Sequence, residues 1–206
     1  MNESSPLHRR DRILAAAEKL FHHYGQKKTT MADIAREAGI GVGSVYLDFP
    51  SKEALLQELA AQRTEIVVRA MRVAAEGARS PGGRVEAMLV ARVEALLDEA
   101  ERGTHACDLI SCSPRDAPGP ERPGAPNRRA SDGCGAHVFG VEIRALVSSE
   151  LDRWEIAIAD RDGTLDAIEL AFGALSPPWL FKFPRDRALE LARRLSALVV
   201  RGLQKG

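Results

Sequence analysis

The sequence predicts an all-α protein. Apolar residues recur with the helical period in nearly every patterned segment, glycines and prolines fall where those segments end, and no alternating strand pattern bounded by turn residues appears. Ile13, Leu14, Ala17, Leu20, Phe21 and Tyr24 form one stripe of a first helix, ended by Gly25. Thr30 is placed to cap a short second helix from Met31 to Ala38, with Asp33 at its third position completing a capping-box pattern. Ile34, Ala35 and Ala38 turn inward, Gly39 supplies the left-handed stop and Ile40 plugs the turn. Gly41 opens a third helix that ends near Phe49, where Pro50 blocks continuation.

Ser51 is the expected N-cap of a long helix to about Gly77, with Leu55, Leu56, Leu59, Ile66, Val67, Ala70 and Val73 inward. "SPGG" at 80–83 breaks it, and a helix from Arg84 to Arg102 follows with Val85, Met88, Leu89, Leu96 and Leu97 inward. Residues 113–135 cannot be helical, because five of the eleven prolines fall in 114–126 among almost no apolar residues. Two readings of this stretch stay open: a flexible loop, or a degenerate segment that leaves a ligand pocket incomplete. Helical periodicity returns over His137 to Ala159, Leu165 to Ser176 and, after "FPRD", Asp186 to Leu203.

A chain of 206 residues, 45% hydrophobic and 28% charged, is long enough for one or two cored domains. Lys+Arg and Asp+Glu both number 29, so whole-chain charge favours no polyanion. The first residues lack a signal-peptide apolar region, and no apolar run has the length of a membrane span, so the expected location is the cytoplasm. Three cysteines in such a compartment argue against a disulfide framework.

Two short helices joined by a glycine-containing turn make a helix-turn-helix, whose second helix is shaped for the major groove of DNA. Residues from about Asp11 to Leu56 resemble the DNA-binding domain of the tetracycline-repressor-like (TetR/AcrR) family of bacterial transcription regulators. "LFHHYG", "TTMADIAREAGIGVGSVYLDF" and "PSKEALL" carry the resemblance. It implies phosphate contacts at Thr30, Gly41, Tyr46 and Lys52, and a base-facing surface of Val42, Gly43, Ser44 and Leu47. A threonine hydroxyl, free helix N–H groups, a tyrosine O–H and a lysine cation all suit phosphate oxygens. Val45 and Phe49 are expected to face inward and lock the recognition helix.

Two departures from the family pattern matter. Gly41 stands where a capping Ser or Thr is common, and no Arg, Asn or Gln on the base-facing side can make a bidentate base contact. Specificity then rests on thymine-methyl contacts, Ser44 and DNA shape. Residues 1–60 hold eight basic and eight acidic residues, so positive character must be local, at Arg9, Arg10, Arg12, Lys27, Lys28 and Lys52.

The resemblance further implies two domains, a DNA-binding one at 1–55 and a helical effector-binding and dimerisation domain at 56–206. The expected homodimer uses the last two helices through Ile168, Phe172, Leu175, Leu191, Leu195 and Leu198, with Leu165, Trp179 and Val199 on the same stripes. The expected activity is ligand-responsive repression, with a small-molecule effector releasing the dimer from a palindromic double-stranded operator. An alternative is a metal- or thiol-responsive regulator using His105, Cys107, Cys112, Cys134 and His137, although their spacing matches no standard zinc site. No catalytic, cofactor or resident metal site is expected. A Cys134–His137 nucleophile–base pair would lack an oxyanion-hole motif and a rigid frame.

Overall fold

The computed structural model describes residues 6–102, 135–154, 156–177 and 179–204. Among these the fold is all-α: α1 Pro6–Tyr24, α2 Met31–Ala38, α3 Val42–Asp48, α4 Lys52–Glu76, α5 Pro81–Ala100, α6 Gly135–Trp154, α7 Arg161–Gly173 and α8 Arg185–Leu203, with a 3-10 turn at Leu180–Lys182. The chain divides into two compact units, Met1–Gln62 with Glu101–Gly135, and Arg63–Ala100 with Ala136–Gly206. No helix among the described residues is long and apolar enough to cross a membrane.

The first unit is built on α1. Ile13, Leu14, Ala17, Leu20 and Phe21 are buried with Met31, Ile34 and Ala35 of α2, Val45 of α3, Phe49, and Leu55 and Leu59 of α4. Each large side chain withdrawn from water contributes about 1.5–3 kcal/mol, which short helices such as α2 and α3 need because their own turns are marginal. Tyr24 departs from the expected stripe. It is exposed at the last residue of α1, with its ring edge-on to His23 at 4.4 Å.

In the second unit α8 packs along α5, and its buried residues Ala188, Ala192, Ser196 and Val200 are spaced four apart on one face. "SPGG" begins α5 rather than preceding it. The Ser80 hydroxyl accepts the Gly83 N–H at 3.1 Å, and Pro81 takes the first helical position, where a missing N–H costs nothing. Gly82 is buried there, and a Cβ on it would lie 2.8 Å from Val200 Cγ1 and 3.0 Å from Trp154 Cη2. α7 likewise starts early, at Arg161, because the Asp160 carboxylate accepts the Gly163 N–H at 2.9 Å.

The buried face of α4 is rotated from the expected one. Val67, Val68, Met71 and Ala75 are buried, whereas Ile66 and Val73 are exposed. The inward face also takes Thr64 and Arg63, whose Nε lies 3.4 Å from Glu99 Oε2 of α5, a polar pairing that a purely apolar stripe does not register. Arg92 of α5 is buried too. It donates to the Ser176 hydroxyl and, at 3.5 Å, to the Leu175 carbonyl, and burial pushes its pKa down to about 10, still charged at neutral pH.

The expected dimer residues divide. Ile168, Phe172 and Leu175 are buried within this unit's own core, so their apolar surface is already covered by the same chain. Leu191 and Leu195 are half-buried and Leu198 is exposed. His105, Cys107, Cys112, Cys134 and, apart from Gly135, the 113–135 segment lie outside the described residues; of His137 only the backbone, in α6, is described.

Candidate nucleic-acid interface

The site starts from the cap of α2. Thr30 has extended backbone (φ −106°, ψ 162°), its Oγ1 accepts the Asp33 N–H at 3.2 Å, and Asp33 Oδ2 accepts the Thr30 N–H at 3.0 Å. The Thr30 hydroxyl also donates to Asp33 Oδ2 at 2.6 Å. These bonds hold the Asp33 carboxyl below the usual range, the hydroxyl bond first. The single hydroxyl proton of Thr30 is thus directed at Asp33, leaving its oxygen as an acceptor. α2 stops at Gly39, whose φ of +64° is left-handed, and Ile40 N–H closes the turn on Ala35 O at 3.0 Å.

Gly41 then opens α3 with its carbonyl accepting from Ser44 N–H at 2.9 Å and from Val45 N–H at 3.2 Å, with no side-chain cap. Val45 and Phe49 are buried in the core. That anchoring turns Val42, Gly43, Tyr46 and Leu47 outward, with Leu47 81% exposed, and leaves Ser44 half-buried at the edge of the face. The outward surface is small and apolar, with one phenol. A Cβ built on Gly43 would meet nothing within 4 Å, so internal packing does not require glycine at this position.

α4 begins beside α2. Ser51 Oγ accepts the Ala54 N–H at 3.2 Å as its cap. Lys52 Nζ donates to the Gln26 carbonyl at 2.9 Å and the Thr29 carbonyl at 3.3 Å, tying the start of α4 to the turn that leads into Thr30. Sequence reasoning gave Lys52 a phosphate alone. In the structure its cation first serves two backbone oxygens, which also offsets its unfavourable place at a helix N-terminus.

The basic residues of α1 differ more sharply from expectation. Arg9 forks onto the Asp48 carboxylate at 2.6 and 2.9 Å, and Arg10 donates to the Asp48 carbonyl at 3.0 Å and to Glu58 at 2.8 Å. The Arg10 guanidinium also lies 4.1 Å from the centroid of Phe49. Arg12 donates to the carbonyls of Ala38 and Gly39. All three therefore have internal partners at the ends of α2 and α3. No local sequence signal announces this, since the partners lie 26 to 48 residues away. Lys27 and Lys28 are exposed on the α1–α2 turn.

Residues 13–59 match the family described as bacterial regulatory proteins, tetR family. The chain is 34% identical over 93 residues to the HTH-type transcriptional repressor KstR2 of Mycolicibacterium smegmatis, covering 45% of each protein. It is 44% identical over 50 residues to the HTH-type transcriptional regulator TtgR of Pseudomonas putida, covering 24% of each. The chain thus spans less than half the length of these curated relatives. Solved structures extend the likeness of fold to nearly the whole chain. The fatty acid degradation regulator FadR from Bacillus halodurans superposes with TM-score 0.64 at 18% identity over 98% of both chains. A putative tetR family transcription regulator from Shewanella sp. PV-4 gives 0.62 at 21%, over 94% of this chain and 97% of that one. With its capped α2, its left-handed turn and its anchored α3, the stretch that matches the tetR family of bacterial regulatory proteins folds as a helix-turn-helix.

Proposed function

We propose that the protein is a sequence-specific transcription repressor that leaves a palindromic operator when a small molecule binds its helical second unit. The observation that carries the reading is α3 itself. Its inner residues Val45 and Phe49 are fixed in the core while Val42, Gly43, Tyr46 and Leu47 stand in solvent, which suits a helix that enters a major groove. On this reading Val42, Gly43, Ser44 and Leu47 face base edges. Gly41, Tyr46 and Lys52 take phosphates, with Lys27 and Lys28 adding charge from the turn; Thr30 joins them only by turning its hydroxyl proton from Asp33 to the phosphate.

The base-facing residues offer methyl and methylene surface rather than a bidentate fork, so thymine methyls and DNA shape carry most of the discrimination. A homodimer would set two such helices in successive major grooves, and an effector that prefers another spacing of the heads would lower affinity by its differential binding to that state. The test is selection of duplexes from a randomised pool by the intact protein, followed by footprinting of the best sequence. Enrichment of a two-fold-related motif supports the reading, and a pool that emerges unenriched sinks it.

A further inference from the structure

α3 has seven residues, too few to hold its direction by its own hydrogen bonds. Its inner side is fixed by Val45 and Phe49, and its C-terminal end by α1. The last carbonyls of a helix lack intrahelical donors and carry the negative end of the helix dipole. Arg10 meets that end of α3 directly, through the Asp48 carbonyl at 3.0 Å, while its other arm reaches Glu58 of α4 at 2.8 Å and its plane covers Phe49. Arg9 grips the Asp48 side chain with two bonds, one to each carboxylate oxygen. Arg12 performs the same service for α2 at Ala38 and Gly39. An ordinary surface ion pair would matter little. This one is bidentate, its carboxylate is only 14% exposed, and Asp48 is engaged by two arginines through side chain and backbone at once.

We propose that Arg9 and Arg10 are positioning residues for DNA recognition: acting through Asp48, they set the direction of the recognition helix rather than neutralising phosphates. The inference rests on the DNA-binding reading above. It differs from it in what it requires of charge. A phosphate contact needs a cation, whereas the clamp needs the guanidinium fork and its acceptor.

Asp48→Asn separates the two. If Arg9 and Arg10 bind phosphates, removing the nearby carboxylate frees a cation, so binding to every duplex tightens and the salt dependence steepens. If they position α3, Asp48→Asn weakens binding to the duplex selected by the wild-type chain about tenfold. Binding to a scrambled duplex and the slope of log K against log salt stay as in wild type. Arg10→Lys keeps the charge and loses the fork, so it is expected to behave like Asp48→Asn. Both variants are first shown by circular dichroism to be folded at the assay temperature, and amide exchange of Val45 to Phe49 reports the freed helix end without any DNA.

Loss of the selected-to-scrambled ratio at an unchanged salt slope, with faster exchange of those amides, supports the clamp. Asp48→Asn binding as tightly as wild type or tighter, or Arg10→Lys matching wild type, overturns it while leaving the DNA-binding reading intact. Failure of the wild-type chain to select any duplex overturns the DNA-binding reading itself.

Discussion

The ammonium of Lys52 donates to the backbone carbonyl of Gln26 at 2.9 Å, with Thr29 O a second acceptor at 3.3 Å. Among the described residues this leaves one of its three N–H donors for a ligand, beside the Thr30 cap. Lys52→Met is expected to have two separable effects. Loss of charge-assisted bonds to backbone oxygens in a half-buried place should cost about 1–2 kcal/mol of stability. Loss of one phosphate contact should lower the salt slope of DNA binding by about 0.9. Thermal melting reads the first and titration at several salt concentrations the second. A lowered melting temperature with an unaltered slope would reduce Lys52 to a tether.

Gly43 offers a case in which stability and function should move in opposite directions. It lies in the exposed part of α3 with open space where a Cβ would stand, so Gly43→Ala is expected to stabilise the fold by about 0.5 kcal/mol. If the bare backbone there lets the helix approach the groove closely, the same methyl weakens operator binding. A variant that melts higher and binds the selected duplex as tightly as wild type would remove Gly43 from the contact surface.

Much of the first unit was legible in the sequence because its signals are local. Thr30 and Asp33 are three residues apart, Gly39 needs only its own φ, and the buried pair Val45 and Phe49 follows from helical spacing. What was not legible depends on partners far along the chain. Arg9, Arg10 and Arg12 read as local positive charge until Asp48, Glu58 and Ala38 are seen beside them. The α4 face shifted for a similar reason, because Arg63 and Glu99 share a buried position that hydrophobic periodicity skips. Ile168 and Phe172 show a third limit. An apolar stripe says that a face is covered, not whether the cover belongs to the same chain.

Glu150 of α6 should give the second unit an acid-sensitive component of stability. Arg84 donates to it at 2.7 and 3.0 Å, and these bonds, ahead of the opposing effect of burial, hold its carboxyl below the usual range. A carboxylate whose folded pKa is depressed stabilises the fold above its unfolded value, about 4.3, and loses that contribution as pH falls through the lower folded value. Glu150→Gln is therefore expected to cost about 1–2 kcal/mol at pH 7 and progressively less below about pH 4. Trp154 and Trp179 both lie in this unit, so urea unfolding followed by tryptophan fluorescence can track the difference. A gap between wild type and variant that stays constant down to pH 3 would contradict the ion-pair account.

Assembly can be tested without confusing dissociation with unfolding, because the apolar residues of the last two helices differ in exposure. Ile168 is buried in its own unit, so Ile168→Glu should unfold that unit by burying an unpaired charge. Leu198 of α8 is 60% exposed and Leu170 of α7 is 82% exposed, so a glutamate at either place costs the isolated chain little. If these residues, with Leu191 and Leu195, meet a second copy, Leu198→Glu carries a charge into an apolar seam. It should then yield folded monomers whose operator affinity is sharply reduced, since each half-site must be bound separately. Sedimentation velocity at micromolar concentration, with circular dichroism to confirm helicity, reads the outcome. A wild-type chain that sediments as a monomer yet binds a palindromic duplex tightly would rule out the dimer. A Leu198→Glu chain that remains dimeric would move the interface away from this part of α8.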